Sequence, residues 1–138
     1  MKTKLILLMV IIASALNAQN KLTVVIDGIE EMKGHILLGI YDEENYMTKF
    51  IDAKMEKADG ETVTFVCEDI ASGEYAISVF HDENDNKKLD TGAFGIPKEK
   101  YGFSNNAKGK MGPPSFQDCM FKVEEDTEIY ITLTKVTF

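Results

Sequence analysis

The chain is poor in the residues that most often carry covalent or metal chemistry, with two histidines and two cysteines in 138 residues. His35 and His81 have no cysteine or glutamate at zinc-ligand spacing. The loop serines Ser104 and Ser115 lie outside any nucleophile-elbow pattern, and no triad order is visible. Cations are scarce too: 15 lysines and arginines face 23 acidic residues, a net charge of −8. That balance excludes nucleic acid and anionic membrane surfaces as natural partners and suits cations or an uncharged partner. After residue 13 no apolar run is long enough to cross a bilayer. No repeat or low-complexity segment is present.

What the chain does have begins at its start. Lys2 and Lys4 precede an unbroken apolar run from Leu5 to Ala13, followed by Ser14, Ala15, Asn17 and Ala18. This is the layout of a secretory signal peptide over residues 1–18, with cleavage after Ala18. The alternative is a buried first strand or helix. The signal reading places the protein in the periplasm or outside the cell. No cysteine stands at the cleavage region to take a lipid anchor. Removing Lys2 and Lys4 takes the charge to about −10. Residues 19–138 are then one domain of ordinary size.

Within that domain the periodicity is that of strands. Leu22, Val24 and Ile26 alternate with Thr23, Val25 and Asp27; Ile36, Leu38 and Ile40 share a face, as do Val63, Phe65 and Cys67, and Tyr75, Ile77 and Val79. The charged run from Phe50 to Glu56 reads as an edge strand. Two further strands are expected at Phe116–Val123 and at Glu128–Val136. About seven strands and no convincing helix predict an all-β, Greek-key sandwich with one long loop over residues 82–115.

Strand parity places Cys67 beside Phe65 and Cys119 beside Phe121 on inward faces, so an oxidising compartment permits a Cys67–Cys119 disulfide. It would close a loop of about 52 residues, for roughly 4 kcal/mol of chain entropy. Two free buried thiols are the alternative.

The long loop carries the chemistry. Asp82, Asn84, Asn86 and Asp90 stand at the 1, 3, 5, 9 spacing of calcium-binding loops, with the Lys88 carbonyl at the seventh position. Lys87 occupies the sixth position, where a glycine usually makes the turn, and Ala93 the twelfth, where a glutamate usually closes the site. Glu99 or Asp118 is a candidate remote carboxylate. The competing reading is an ion-free turn whose Asx side chains satisfy their own backbone. Leu89, Phe94, Ile96, Tyr101, Phe103 and Phe116 are expected to pin the loop to the sandwich. Tyr101, Phe103, Asn105, Asn106 and Phe116 form a candidate ligand platform for sugar or peptide, or else a small core beneath the loop.

The runs Gly73–Asn84, Leu89-Asp90, Phe94–Glu99, Tyr101–Asn106 and Pro114–Phe116 resemble a family of small secreted bacterial proteins of unknown function. The resemblance implies a transthyretin-like or immunoglobulin-like sandwich and no established activity. The family's loop reads D-x-N-x-N-G-x-L-D, so Lys87 replaces its glycine, and the two cysteines lie outside its pattern. Three functions follow as expectations. The first is a non-enzymatic, calcium-stabilised envelope module that binds a protein or glycan through the 82–115 loop. The second is a small hydrolase using His81 with Asp82 and Glu99. The third is a self-assembling envelope accessory protein.

Overall fold

The computed structural model describes residues 19–136. The expected signal peptide at 1–18 lies outside the described residues. Eight strands form: β1 Gln19–Asp27, β2 His35–Tyr41, β3 Asp52–Lys57, β4 Val63–Ala71, β5 Gly73–Asp82, β6 Tyr101–Phe103, β7 Phe121–Val123 and β8 Thr127–Thr132. One four-residue helix, α1, spans Phe116–Cys119. Among the described residues no helix is long and apolar enough to cross a membrane.

The strands make two sheets, ordered β4-β1-β8 and β3-β2-β5-β6, with β7 pairing the first residues of β5. Alternation decides which side chains meet between them. Leu22, Val24 and Ile26 of β1 and Val63, Phe65 and Cys67 of β4 pack against Ile36, Leu38 and Ile40 of β2 and Ile77 and Val79 of β5. Burying each such aliphatic side chain stabilises the fold by about 1.5–3 kcal/mol. The all-β sandwich expected from the sequence is therefore the observed architecture.

Its connections depart from simple hairpins. β1 pairs β8 in parallel, Leu22 opposite Thr127 through Asp27 opposite Thr132. Just beyond β8, Tyr101 and Thr134 exchange two backbone hydrogen bonds of 2.9 and 2.8 Å, which tie β6 to the end of the first sheet. That corner is closed, and β3 and β4 are left as the outer strands of the two sheets. The edge position expected for the charged third strand is the one observed.

Two expectations fail for local reasons. The strand expected over Phe116–Val123 divides into α1 and β7. Ser115 caps α1, its side chain accepting from Asp118 N at 3.2 Å. The Ser-x-x-Asp spacing was the readable signal for this turn. Cys119 consequently leaves the parity of Phe121 and Val123. It is buried with Ala76, Phe103 and Phe116 in a second cluster, whereas Cys67 is in the main core. Both cysteines are free thiols, which corrects the expected disulfide.

Burial raises both thiols above their ordinary pKa, and it raises Tyr41, Tyr46 and Tyr75 as well. Each of these groups holds its proton more tightly folded than unfolded. Above the unfolded values, about 8.5 for cysteine and 10 for tyrosine, the unfolded chain therefore binds fewer protons and stability falls as pH rises. The melting temperature is expected to be insensitive to these groups at pH 7 and to drop progressively from about pH 9. A flat profile to pH 10.5 in scanning calorimetry would contradict this assignment.

Candidate functional site

Residues 82–115 are not a structureless loop. They contain the acidic turn after β5, a short hairpin, β6, and two single-turn 3-10 segments at Ala93–Gly95 and Ser104–Asn106. Ile77 and Val79 direct β5 through the core, and its last residues, His81 and Asp82, are both buried at the end of the sheet.

Asp82 folds the acidic turn around its own carboxylate. Oδ1 accepts from Asn86 N at 3.2 Å and Oδ2 from Lys87 N at 2.7 Å. Asn84 Nδ2 donates to Asp90 Oδ2 at 2.6 Å and Asn86 Nδ2 to Asp90 Oδ1 at 2.7 Å. Asn86 Oδ1 accepts from Lys88 N at 3.0 Å. The Asn84, Asn86 and Asp90 side chains thus close on one another, while the Asp82 carboxylate holds the backbone of Asn86 and Lys87. The two amide NH2 groups meet the charge of Asp90.

Asp85 and Lys87 take left-handed backbone, φ 55° and 60°. Lys87 therefore adopts the conformation that a glycine would take freely, at a strain of roughly 1 kcal/mol.

Glu99 is the remote carboxylate that reaches the turn; Asp118 is in α1 instead. Glu99 is buried, and its two oxygens accept from Glu83 N and Asp90 N, both at 2.9 Å. It clamps the first and last parts of the turn together. An open cleft of about 490 Å3 lies beside it, between Lys33, Lys98, Glu83, Asn84 and Asp90. Lys33 pairs with Glu83 at 3.6 Å, and His35 donates to Asp85 at 2.6 Å.

The oxygen set fits a hard cation in kind: two carboxylates and two amides at the first, third, fifth and ninth positions, with the turn backbone already in place. Each carboxylate keeps lone pairs beyond those its N–H partners use. Among the described residues no group of three or more histidine, cysteine, aspartate or glutamate side chains is gathered for a metal. A site here depends on the asparagine oxygens.

His81 does not join this arrangement. It is 0% exposed on the core side of β5, and its Nε2 donates to Lys33 O at 2.6 Å. Nδ1 is buried and has no hydrogen-bond partner among the described residues. Asp82 and Glu99 direct their oxygens at backbone N–H groups, so the three residues do not form the convergent pocket expected of a hydrolase.

The ligand platform is also corrected. Phe103 and Phe116 are buried, with Tyr101 and Tyr46 packed against their cluster. Asn105 Nδ2 donates to the carbonyls of Asp118 and Met120, and Asn106 Oδ1 accepts from Thr132 N. Both asparagines stand at positive φ. The aromatics form the small core beneath the loop, and the amides hold its backbone.

Sequence reasoning missed Ser104, which is 0% exposed. Its hydroxyl donates to Cys119 O at 2.6 Å and accepts from Ile77 N at 2.9 Å, bridging β5 to α1. It also missed the exposure of Phe94. Thr91 and Pro97 bridge a hairpin whose tip is Phe94-Gly95, with Phe94 100% exposed at φ 59°. Phe94 does not pin the loop.

Residues 24–130 match the family described as "Uncharacterized protein conserved in bacteria (DUF2141)". The chain belongs to this family. No curated protein and no solved structure matches it.

Proposed function

We propose that the protein is an exported, non-enzymatic sandwich module whose acidic turn takes up calcium and whose neighbouring hairpin presents a contact for an envelope protein or glycan. The observation that carries this reading is the closure of the Asn84 and Asn86 side chains on Asp90, in a turn whose backbone Asp82 holds and which Glu99 clamps from behind. Asp82, Asn84, Asn86 and Asp90, with the Lys88 carbonyl, would hold the ion, which supplies positive charge in place of the two amide NH2 groups on Asp90.

Export is supported by the start of β1. Gln19, the first residue after the expected cleavage, already pairs with Ala71. The sandwich is read as transthyretin-like or immunoglobulin-like on the strength of its two face-to-face sheets. A role without catalysis is supported by the burial of His81 and the backbone partners of Asp82 and Glu99. The hairpin tip supports a binding role. A fully exposed aromatic at positive φ has no packing reason to be there, and its face can stack on a sugar ring or enter an apolar pocket.

Calorimetric melting tests the ion. An ion bound to the folded state alone, at about 100 times its Kd, adds about 2.7 kcal/mol and raises the midpoint by several degrees. Millimolar calcium is expected to give that rise, EDTA to reverse it and Asp90→Ala to abolish it. An identical midpoint in calcium and EDTA removes calcium from the reading.

A further inference from the structure

The outer face of the second sheet carries an apolar row that runs straight to an open edge. Met55 of β3 is opposite Leu37 of β2, Leu37 is opposite Phe80 of β5, and Phe80 is opposite Tyr101 of β6. Leu37, Phe80 and Tyr101 are half-buried, and Met55 is 48% exposed at the rim. Among the described residues β3 has β2 as its one neighbour in the sheet.

The hydrogen-bond phase of β3 shows which of its groups face outward. Ala58 N donates to Gly34 O at 3.0 Å, next to the ladder in which His35 is opposite Lys57. In an antiparallel pair the bonding residues alternate, so Glu56, Lys54 and Asp52 bond β2, while Met55 presents its N–H and C=O to the open side. Asp52 Oδ1 covers the outward N–H of Ala53 at 2.9 Å, and Met55 is the centre of what stays open.

We infer that β3 is a self-complementary edge and that its partner is β3 of a second copy, joined antiparallel about a two-fold axis through Met55. A two-fold axis normal to the sheet puts opposite residues on the same face and passes through one residue of β3. Centring on Ala53 would place at the middle of the ladder an N–H that Asp52 Oδ1 already holds, and centring on Glu56 would set Glu56 against Glu56, which leaves two registers. Centred on Lys54, the pairing sets Lys54 against Lys54 and Asp52 against Glu56 of the other copy, like charges throughout. Centred on Met55, it sets Lys54 against Glu56 of the other copy, twice by symmetry. Those pairs fall at the non-hydrogen-bonded positions, where cross-strand side chains come closest.

Hydrogen-bond phase admits both registers, Met55 meeting Met55 in the second and Ala53 in the first, but the first needs for its central ladder the Ala53 N–H that Asp52 Oδ1 already holds. Charge therefore selects the alignment centred on Met55. In it the two apolar rows join end to end through the paired Met55 side chains into one band across the combined sheet. This surface is separate from the acidic turn and stands or falls independently of the calcium reading.

Charge swapping tests the register. Sedimentation equilibrium of the purified protein at about 100 µM is expected to give a dimer. Lys54→Glu or Glu56→Lys alone places like charges at both symmetric pairs and is expected to weaken dimerisation roughly tenfold or more; the double variant restores it. Met55→Pro removes an N–H that β2 does not use, so it is expected to give a folded monomer. Melting curves verify folding of each variant, and the charge variants decide the matter should Met55→Pro fail to fold. A monomeric wild type overturns the proposal. So does a dimer indifferent to both single charge reversals, which would use another surface.

Discussion

Ser104→Ala is expected to destabilise the protein by about 2–4 kcal/mol, lowering the melting temperature by roughly 10 °C or more. The hydroxyl is wholly buried and has two partners, Ile77 N and Cys119 O. Alanine fills nearly the same space but leaves a buried donor and a buried acceptor unpaired, each at about 1–3 kcal/mol. The loss joins two levels of the fold. Ile77 is a core residue of β5, while Cys119 ends the helix that covers the second cluster. Denaturant titration of Ser104→Ala measures the effect, and a loss under about 1 kcal/mol would show that the hydroxyl is not the joint between them.

Glu99→Ala has the second large effect, and it is local. Its carboxylate accepts from Glu83 N and Asp90 N, and charge-assisted bonds of this kind contribute about 1.5–3 kcal/mol each. Removing them releases one side of the acidic turn while leaving the Asp82 bonds on the other. Hydrogen exchange is expected to accelerate at the Glu83 and Asp90 amides by about tenfold or more, with the β1 and β5 amides unchanged, since each 1.4 kcal/mol of local opening is a factor of ten. Unaltered exchange at Glu83 and Asp90 would mean that the turn holds itself closed without Glu99. Glu99→Gln is expected to lie between the wild type and alanine, because its amide keeps one acceptor and sets an NH2 group against a backbone N–H.

The strands with long alternating runs were legible because burial on one face writes itself into every second residue. β1, β2, β4 and β5 have this pattern over several residues. The edge role of β3 was legible for the opposite reason: a strand with one neighbour tolerates charge at most of its positions. Three-residue β6 was not, since Tyr101–Phe103 is too short for a period and sits among glycines and asparagines. α1 was hidden by the alternation of Phe116 to Val123, which competes with a helical signal carried by Ser115 and Asp118 alone.

The acidic turn was legible as a spacing, and the structure brings the same four residues together. The clamp by Glu99 was named among the remote carboxylates, but its partners depend on how the hairpin returns the chain. Lys98 N donates to Asp90 O, which sets Glu99 beside the turn nine residues after Asp90. The aromatic residues near 101–116 were recognisable as a group. Whether they face outward depends on the segment from Asp42 to Phe50, where Tyr46 reaches Pro114 O at 2.7 Å and covers Phe116. Nothing adjacent in sequence announces that contact.

The parallel pairing of β1 with β8 has a consequence for when the molecule can exist at all. Its first strand waits for its last: Lys21 N reaches Asp126 across 105 residues. A ribosome that has delivered everything up to β7 still holds a chain whose central first-sheet strand is bare on one flank. Completion is therefore a late event, set by the arrival of β8. Contacts of such long sequence separation are slow to form, which gives machinery that threads unfolded polypeptide time to act.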